Sequence, residues 1–263
     1  KDLYHNGNSS TMIAIMAIAA AAEAHYHVIV PHDYSQWKAR KSEKVPMNLI
    51  WGHGYEHIWF DIEKPLSFEV IKPGGERSDL MKSISGTMIK SVTGEKKKAY
   101  KFEYKPTERG DHIFVLDAGW QWDEEDSAWL KDYARAVLHV QAESDWGREV
   151  GLPLEVVPLS RPYGVVKGDA LSFQVLHDGD PVSGIRVERE IYNQLTPSPD
   201  SLPGEEFIAY SAVTGPDGTV AFSFPTSGWH GITAIMETEK TRDAGGHQGK
   251  IIERSTMWVY VSP

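Results

Sequence analysis

Residues 171–191 read LSFQVLHDGDPVSGIRVEREI. Leu171, Phe173 and Val175 alternate with Ser172 and Gln174, the two-residue period of a half-buried strand. Asp178-Gly179-Asp180 is turn chemistry, and Val182–Ile191 reads as the next strand. Further on, Gly215-Pro216-Asp217-Gly218 turns into Thr219–Phe224 in the same manner. Hairpins of this kind suit a seven-strand sandwich of about 100 residues, immunoglobulin-like or transthyretin-like.

The same grammar extends in both directions. Leu66–Val70, Tyr100–Tyr104, His112–Leu116, Val137–Val140 and Leu154–Leu159 precede it; Phe207–Ala212, Ile232–Met236 and Met257–Val261 follow. Gly and Pro turns separate these runs, and no stretch keeps an apolar 3.6-residue period over three turns. Asp123–Asp132 is the best candidate for a short helix, and Gln194–Gly204, with three prolines, reads as a loop. Pro158-Leu159-Ser160-Arg161-Pro162-Tyr163-Gly164 forms a stiff extended connector. The expected fold is all-β: two β-sandwich domains, 25–158 and 159–263, behind a leader of residues 1–24.

The leader is read from Met12–Ala22, eleven apolar residues, followed by the small-x-small Ala22-Glu23-Ala24. A bilayer span needs about 20 residues. A signal peptide cleaved after Ala24 is therefore expected, despite a weak basic start at Lys1 and Asp2. It would leave His25 first, a periplasmic protein and no transmembrane anchor. Composition narrows the chemistry further. With 27 Lys plus Arg against 37 Asp plus Glu, the charge of -10 disfavours a nucleic-acid binder. The absence of cysteine excludes disulfides, thiolate zinc sites, cysteine-ligated iron–sulfur clusters and a cysteine nucleophile.

Histidine is unevenly spread. Of eleven in the chain, His25, His27, His32, His53 and His57 fall within 33 residues. Neutral imidazole is the commonest side-chain ligand for borderline metals. His25 and His27 share a face if the segment is a strand. His53 lies in a glycine-flanked loop, and His32 and His57 read as ordinary loop residues. Cleavage after Ala24 offers two competing chelates: a four-nitrogen wrap by His25-Tyr26-His27, or the amine and ring of His25 together. A second concentration, Trp120, Trp122 and Trp129 beside five acids in 117–126, suits a glycan platform, a partner surface, a wall of the histidine site or an interdomain wedge. Asp117 and Asp123 invite a glycosidase reading, which a solvated acidic loop explains better. Phosphate-loop, dinucleotide, nucleophile-elbow and zinc-protease signatures are absent, so no enzyme is expected. His230 reads as structural.

In several stretches the chain resembles the bacterial periplasmic components associated with cobalt and nickel ABC-type uptake systems. These are Ala24–Pro31, Trp51-Gly52-His53 with Glu56, Asp61–Pro65, Gly151–Leu159 into Arg161–Gly164, Pro225–Gly231, and Met257-Trp258-Val259. The resemblance implies His25, His27 and His53 as metal residues, Ni²⁺ or Co²⁺ as the ion (Cu²⁺ or Zn²⁺ as substitutes), and membrane metal-uptake transporter components as partners. The alternative is a structural or adhesive sandwich that binds protein or glycan through its tryptophans. A third reading is a copper-dependent oxidative enzyme using a terminal histidine and His53.

Overall fold

The computed structural model describes residues 25–31, 38–124, 126–195, 197–198 and 201–263. The expected leader 1–24 and its cleavage site, and His32, lie outside the described residues. The alternating runs form strands as expected. In chain order they are β1 (Tyr26–Pro31), β2 (Lys38–Ala39), β3 (Val45–His53), β4 (Ile58–Trp59), β5 (Ser67–Ile71) and β6 (Arg77–Asp79). Next come β7 (Ser85–Lys90), β8 (Lys96–Tyr104), β9 (Gly110–Asp123), β10 (Ala128–Val140), β11 (Leu154–Pro158) and β12 (Val165–Val166). The last are β13 (Ala170–His177), β14 (Asp180–Pro181), β15 (Arg186–Tyr192), β16 (Ala209–Val213), β17 (Thr219–Ser223), β18 (Gly228–Ala244) and β19 (His247–Ser262). A 3-10 turn at Glu205–Phe207 precedes β16.

These strands make three sheets in a layered, sandwich-like all-β fold. The front sheet runs β1-β3-β8-β7, with β4 on β3. The middle sheet runs β16-β15-β18-β19-β10-β9-β5-β6, with β12 on β19 and β2 on β10. The back sheet is β11-β13-β14, with β17 on β13. Because side chains alternate along a strand, the middle sheet feeds two cores. Phe114, Leu116, Leu130, Ala134 and Leu138 pack forward with Val28, Leu49 and Phe102. Ile113, Val115, Tyr133, Val137 and Val259 pack backward with Leu154, Phe173 and Phe222. A sheet covered on both faces needs strands that are apolar on both faces. That explains the almost unbroken burial of β9 and β10.

The connector at Pro158–Gly164 separates β11 from β12, yet strands from beyond it complete the middle sheet. β19 pairs with β10 in parallel, Trp129 opposite Ile251 through Ala136 opposite Trp258. The layers expected to belong to two sandwiches thus have their central sheet in common. Two local readings are corrected. Asp123–Asp132 is no helix; its second half opens β10, whose backbone pairs with β9 on one side and β19 on the other. The Asp178–Asp180 turn closes only the short β13–β14 ladder, and β15 then leaves for the middle sheet. Gly184, at a φ of 75°, lies between β14 and β15, in a conformation that few other residues adopt.

One buried ion pair ties the middle layer to the back. Arg135 on β10 is fully buried and donates from Nη1 to Glu155 Oε1 at 2.7 Å. Glu155 also accepts from the backbone of Val150 (2.8 Å) and Gly151 (2.9 Å), and Arg135 donates to the Arg148 carbonyl at 3.1 Å. Removing one partner strands the other charge in an apolar layer, which costs about 3–5 kcal/mol. Arg135→Met should therefore lower unfolding stability by that amount in urea titrations. Asp145→Ala, which breaks the exposed Arg148–Asp145 pair, should change it by less than about 1 kcal/mol.

Candidate metal centre

The antiparallel ladder of β1 and β3 places Tyr26 opposite Gly52 and His27 opposite Trp51. Directly opposed residues share a face, so the period of two puts His25, His27, Trp51 and His53 together on one side. Gly52 is required here. A Cβ at this position would stand 2.2 Å from the Ile58 carbonyl oxygen, and its φ of 144° suits glycine. Without that close approach β4 could not fold onto β3 and bring Phe60 against the histidines. The Phe60 ring lies 4.6 Å from that of His25 and 5.8 Å from that of His53.

The opposing wall comes from the middle sheet and depends on an irregularity. In the β9–β10 ladder Asp132 faces Gly119 but Tyr133 faces Asp117, so Ala118 is an extra residue. Gly119 takes a φ of 88° at this bulge. Beyond it the alternation inverts: Gln121 and Asp123 turn to the histidine side, while Trp120 and Trp122 turn away. Asp123 Oδ2 thereby comes within 3.2 Å of His25 Nδ1, near enough to interact but without hydrogen-bond geometry. Asp117 lies on the opposite face with Lys131, so Asp117 and Asp123 form no carboxylate pair.

His25 and His53 are brought together. Both are buried, and their rings stand 4.4 Å apart, edge to face. Neither ring nitrogen of His25 has a hydrogen-bond partner, which is costly for a buried polar group. Burial, then the neighbouring His25 and Arg254, push the pKa of His53 down to about 3, against a smaller pull from Asp123. His53 is consequently a neutral imidazole, the form that ligates.

His27 is held differently. Its Nδ1 lies 2.9 Å from Asp132 Oδ2, and Asp132 is clamped by Arg254 through bonds of 2.8 and 2.6 Å. Burial opposes ionisation of Asp132, but Arg254 and His27 outweigh it and hold the carboxyl well below its usual range. The far ring nitrogen, Nε2, is buried without a hydrogen-bond partner. Carboxylate-oriented imidazoles of this kind recur behind metal ligands. Trp51 adjoins both His25 and His27, stacked on His27 at 5.8 Å and edge-on to His25 at 5.9 Å. Among the described residues no three His, Asp or Glu side chains are gathered as a ready metal cage. The side chains alone thus offer a two-imidazole site with a carboxylate beside it and a third imidazole oriented nearby.

The remaining histidines take up separate places. His57 sits at a φ of 59° with Nε2 donating to the Asn193 carbonyl at 2.6 Å. His230 is buried and donates to the Thr226 carbonyl at 2.9 Å, a structural role. His177 lies 3.5 Å from Glu253, and His247 stacks on Trp122 at 4.5 Å. The tryptophans join hairpin tips: the Arg242 guanidinium sits 4.5 Å from the Trp120 ring and 5.0 Å from that of Trp129. Their hairpin approaches His25 through Asp123. Asp132, Arg254, Trp51 and Phe60 also surround the histidines, and no motif in the sequence marks Asp132, Arg254 or Phe60 for that place. The one local signal available was Gly119 inside a strand run, a mark of bulges.

Burial lowers the pKa of His53 to about 3 and of His230 to about 4, and lowers those of His57 and His112. In the unfolded chain these groups bind protons near pH 6.5. Between that pH and their folded values the unfolded state holds more protons, so stability falls as pH falls. Urea midpoints taken at pH 7, 5.5 and 4.5 should drop, with a slope of at least about 1 kcal/mol per pH unit. A flat profile over that interval would mean these histidines are solvated.

The chain aligns with a Salmonella alpha-2-macroglobulin mutant, Y1175G, at 15% identity and a TM-score of 0.27, over 93% of this chain and 15% of that one. With Escherichia coli alpha-2-macroglobulin activated by porcine elastase the values are 12%, 0.26, 91% and 20%. With the D00-D0 domain of Intimin they are 11%, 0.21, 90% and 100%. All three are loose superpositions, and this chain spans only 15–20% of the two macroglobulin chains. No curated protein matches. Residues 22–238 match the profile of a domain of unknown function, DUF4198, over more than half the chain, and the protein belongs to that family.

Proposed function

We propose that this chain binds one divalent late transition metal, Ni²⁺ or Co²⁺, as cargo at His25 and His53. By its resemblance to periplasmic uptake components, it would do so in the periplasm beside a membrane uptake system. The observation that carries the reading is the buried His25–His53 pair at 4.4 Å, with both nitrogens of His25 lacking hydrogen bonds. Buried imidazole nitrogens left unpaired cost free energy unless a ligand fills their lone pairs. The neutral state of His53 and the carboxylate of Asp123 beside His25 suit a divalent cation.

The fold favours one of the two chelates open to a chain beginning at His25. A four-nitrogen wrap needs the consecutive amides of Tyr26 and His27 to aim at one ion. In β1 the backbone is extended and laddered to β3, and consecutive amides of a strand point in opposite directions. Such a wrap would have to peel β1 from β3 and pull His27 off Asp132. The amine and ring of His25 with the ring of His53 require neither. His27, oriented by Asp132, is the nearby imidazole with an open Nε2.

Calorimetry with Ni²⁺ and Co²⁺ on protein beginning at His25 tests this assignment. His53→Ala should abolish measurable binding, whereas His27→Ala should weaken it by about 10–100-fold, as loss of a supporting group beside the ligands does. Binding that survives His53→Ala and vanishes in His27→Ala would establish the wrap instead. No binding of either metal by the wild-type chain would end the metal reading.

A further inference from the structure

An acidic chain carries one strongly basic hairpin. Residues 82–105 contain seven lysines against only Glu95 and Glu103, a net of +5. The rest holds 20 basic against 35 acidic residues, a net of -15. The segment is the β7–β8 hairpin, and β7 is the terminal strand of the front sheet, bonded on one side to β8. Its other backbone edge is open among the described residues.

Ladder register distributes the lysines over both faces. Met88 opposite Lys98 and Lys90 opposite Lys96 share one face; Ile89 opposite Lys97 and Ser85 opposite Lys101 share the other. Lys97 pairs with Glu95 at 2.6 Å, while Lys90, Lys96, Lys98 and Lys101 have no ion-pair partner among the described residues. Met88 is 54% exposed beside them. The lysines of the hairpin discourage pairing between identical chains, because two such hairpins would set +5 against +5. The same charge is complementary to an acidic strand.

We propose that β7 is a docking edge for an extended acidic segment of a partner protein, added as a further strand of the front sheet. An added strand sends alternate side chains to both faces, where lysines wait on each, and its backbone fills the open edge. A flat anionic membrane would meet the lysines of one face only. Ser85 and Gly86, small residues on β7, leave the side chains of Lys101 and its neighbours on β8 free to reach across toward the new strand. This surface is independent of the histidine pair.

Fluorescence anisotropy with a labelled ten-residue peptide of alternating Glu-Glu and Val-Val pairs, which sets glutamates on both faces of a strand, tests the proposal on the whole protein, at low and moderate salt. The peptide should bind, more weakly as salt rises. The triple variant Lys96→Glu, Lys98→Glu, Lys101→Glu should lose at least about tenfold in affinity with an unchanged circular dichroism spectrum. A peptide of equal charge with proline at every third position should not bind, since it cannot complete a ladder. Equal binding of the proline peptide, or by the triple variant, would overturn the proposal. So would lysine-dependent binding to phosphatidylglycerol vesicles without peptide binding, which would make the hairpin a membrane patch.

Discussion

The buried carboxylate of Asp132 is the junction on which the rest of the molecule turns. It accepts two bonds from Arg254 and one from His27, joining strands that begin 26, 128 and 247 residues along the chain. A lone charge at such depth would be prohibitive, and a single cation only partly offsets its desolvation. Here every partner is shared: Arg254 neutralises it, and His27 uses what remains. The arrangement fixes β1 over the β10–β19 pair. That pair is parallel and lies at the centre of the middle sheet, so the position of the first described strand depends on the last one.

The histidine pair follows from that placement by backbone periodicity. Once His27 is docked on Asp132, an extended β1 carries His25 onto the same side, and the β3 register carries His53 to meet it. The bulge at Ala118 supplies the polar wall, since it exchanges Trp120 and Trp122 for Gln121 and Asp123. An unbulged β9 would set indoles on the histidine side and leave His25 facing apolar surface. Rigid layers on both sides hold these groups, a better foundation for a binding site than a free loop.

Much of this was legible in the sequence, and the reasons are local. Alternation located the strands around Phe102, Phe114 and Phe173, and the spacing of His25 from His27 gave their common face. What could not be read was non-local. Nothing near Arg254 announces that it lies 122 residues from its carboxylate, and nothing in Asp123–Asp132 reveals that β19 arrives in parallel beside it. The Pro-rich connector at Pro158–Gly164 is real as chain punctuation. Sheet membership is decided instead by which strand edges remain open, and β10 offered its edge to β19. The setting of the tryptophans is non-local for a related reason: their indoles lie against Arg242 and His247, more than 100 residues later.

In the proposed site His25 and His53 share a metal ion while β1 stays in its ladder. X-ray absorption at the nickel or cobalt edge, on protein beginning at His25 and loaded with one ion, tests it most directly. The expected spectrum is that of a first shell of nitrogen and oxygen donors with the outer-shell scattering of two imidazole rings. A square-planar nickel shell of short amide nitrogens with a single imidazole would contradict it, because that geometry demands that β1 leave β3.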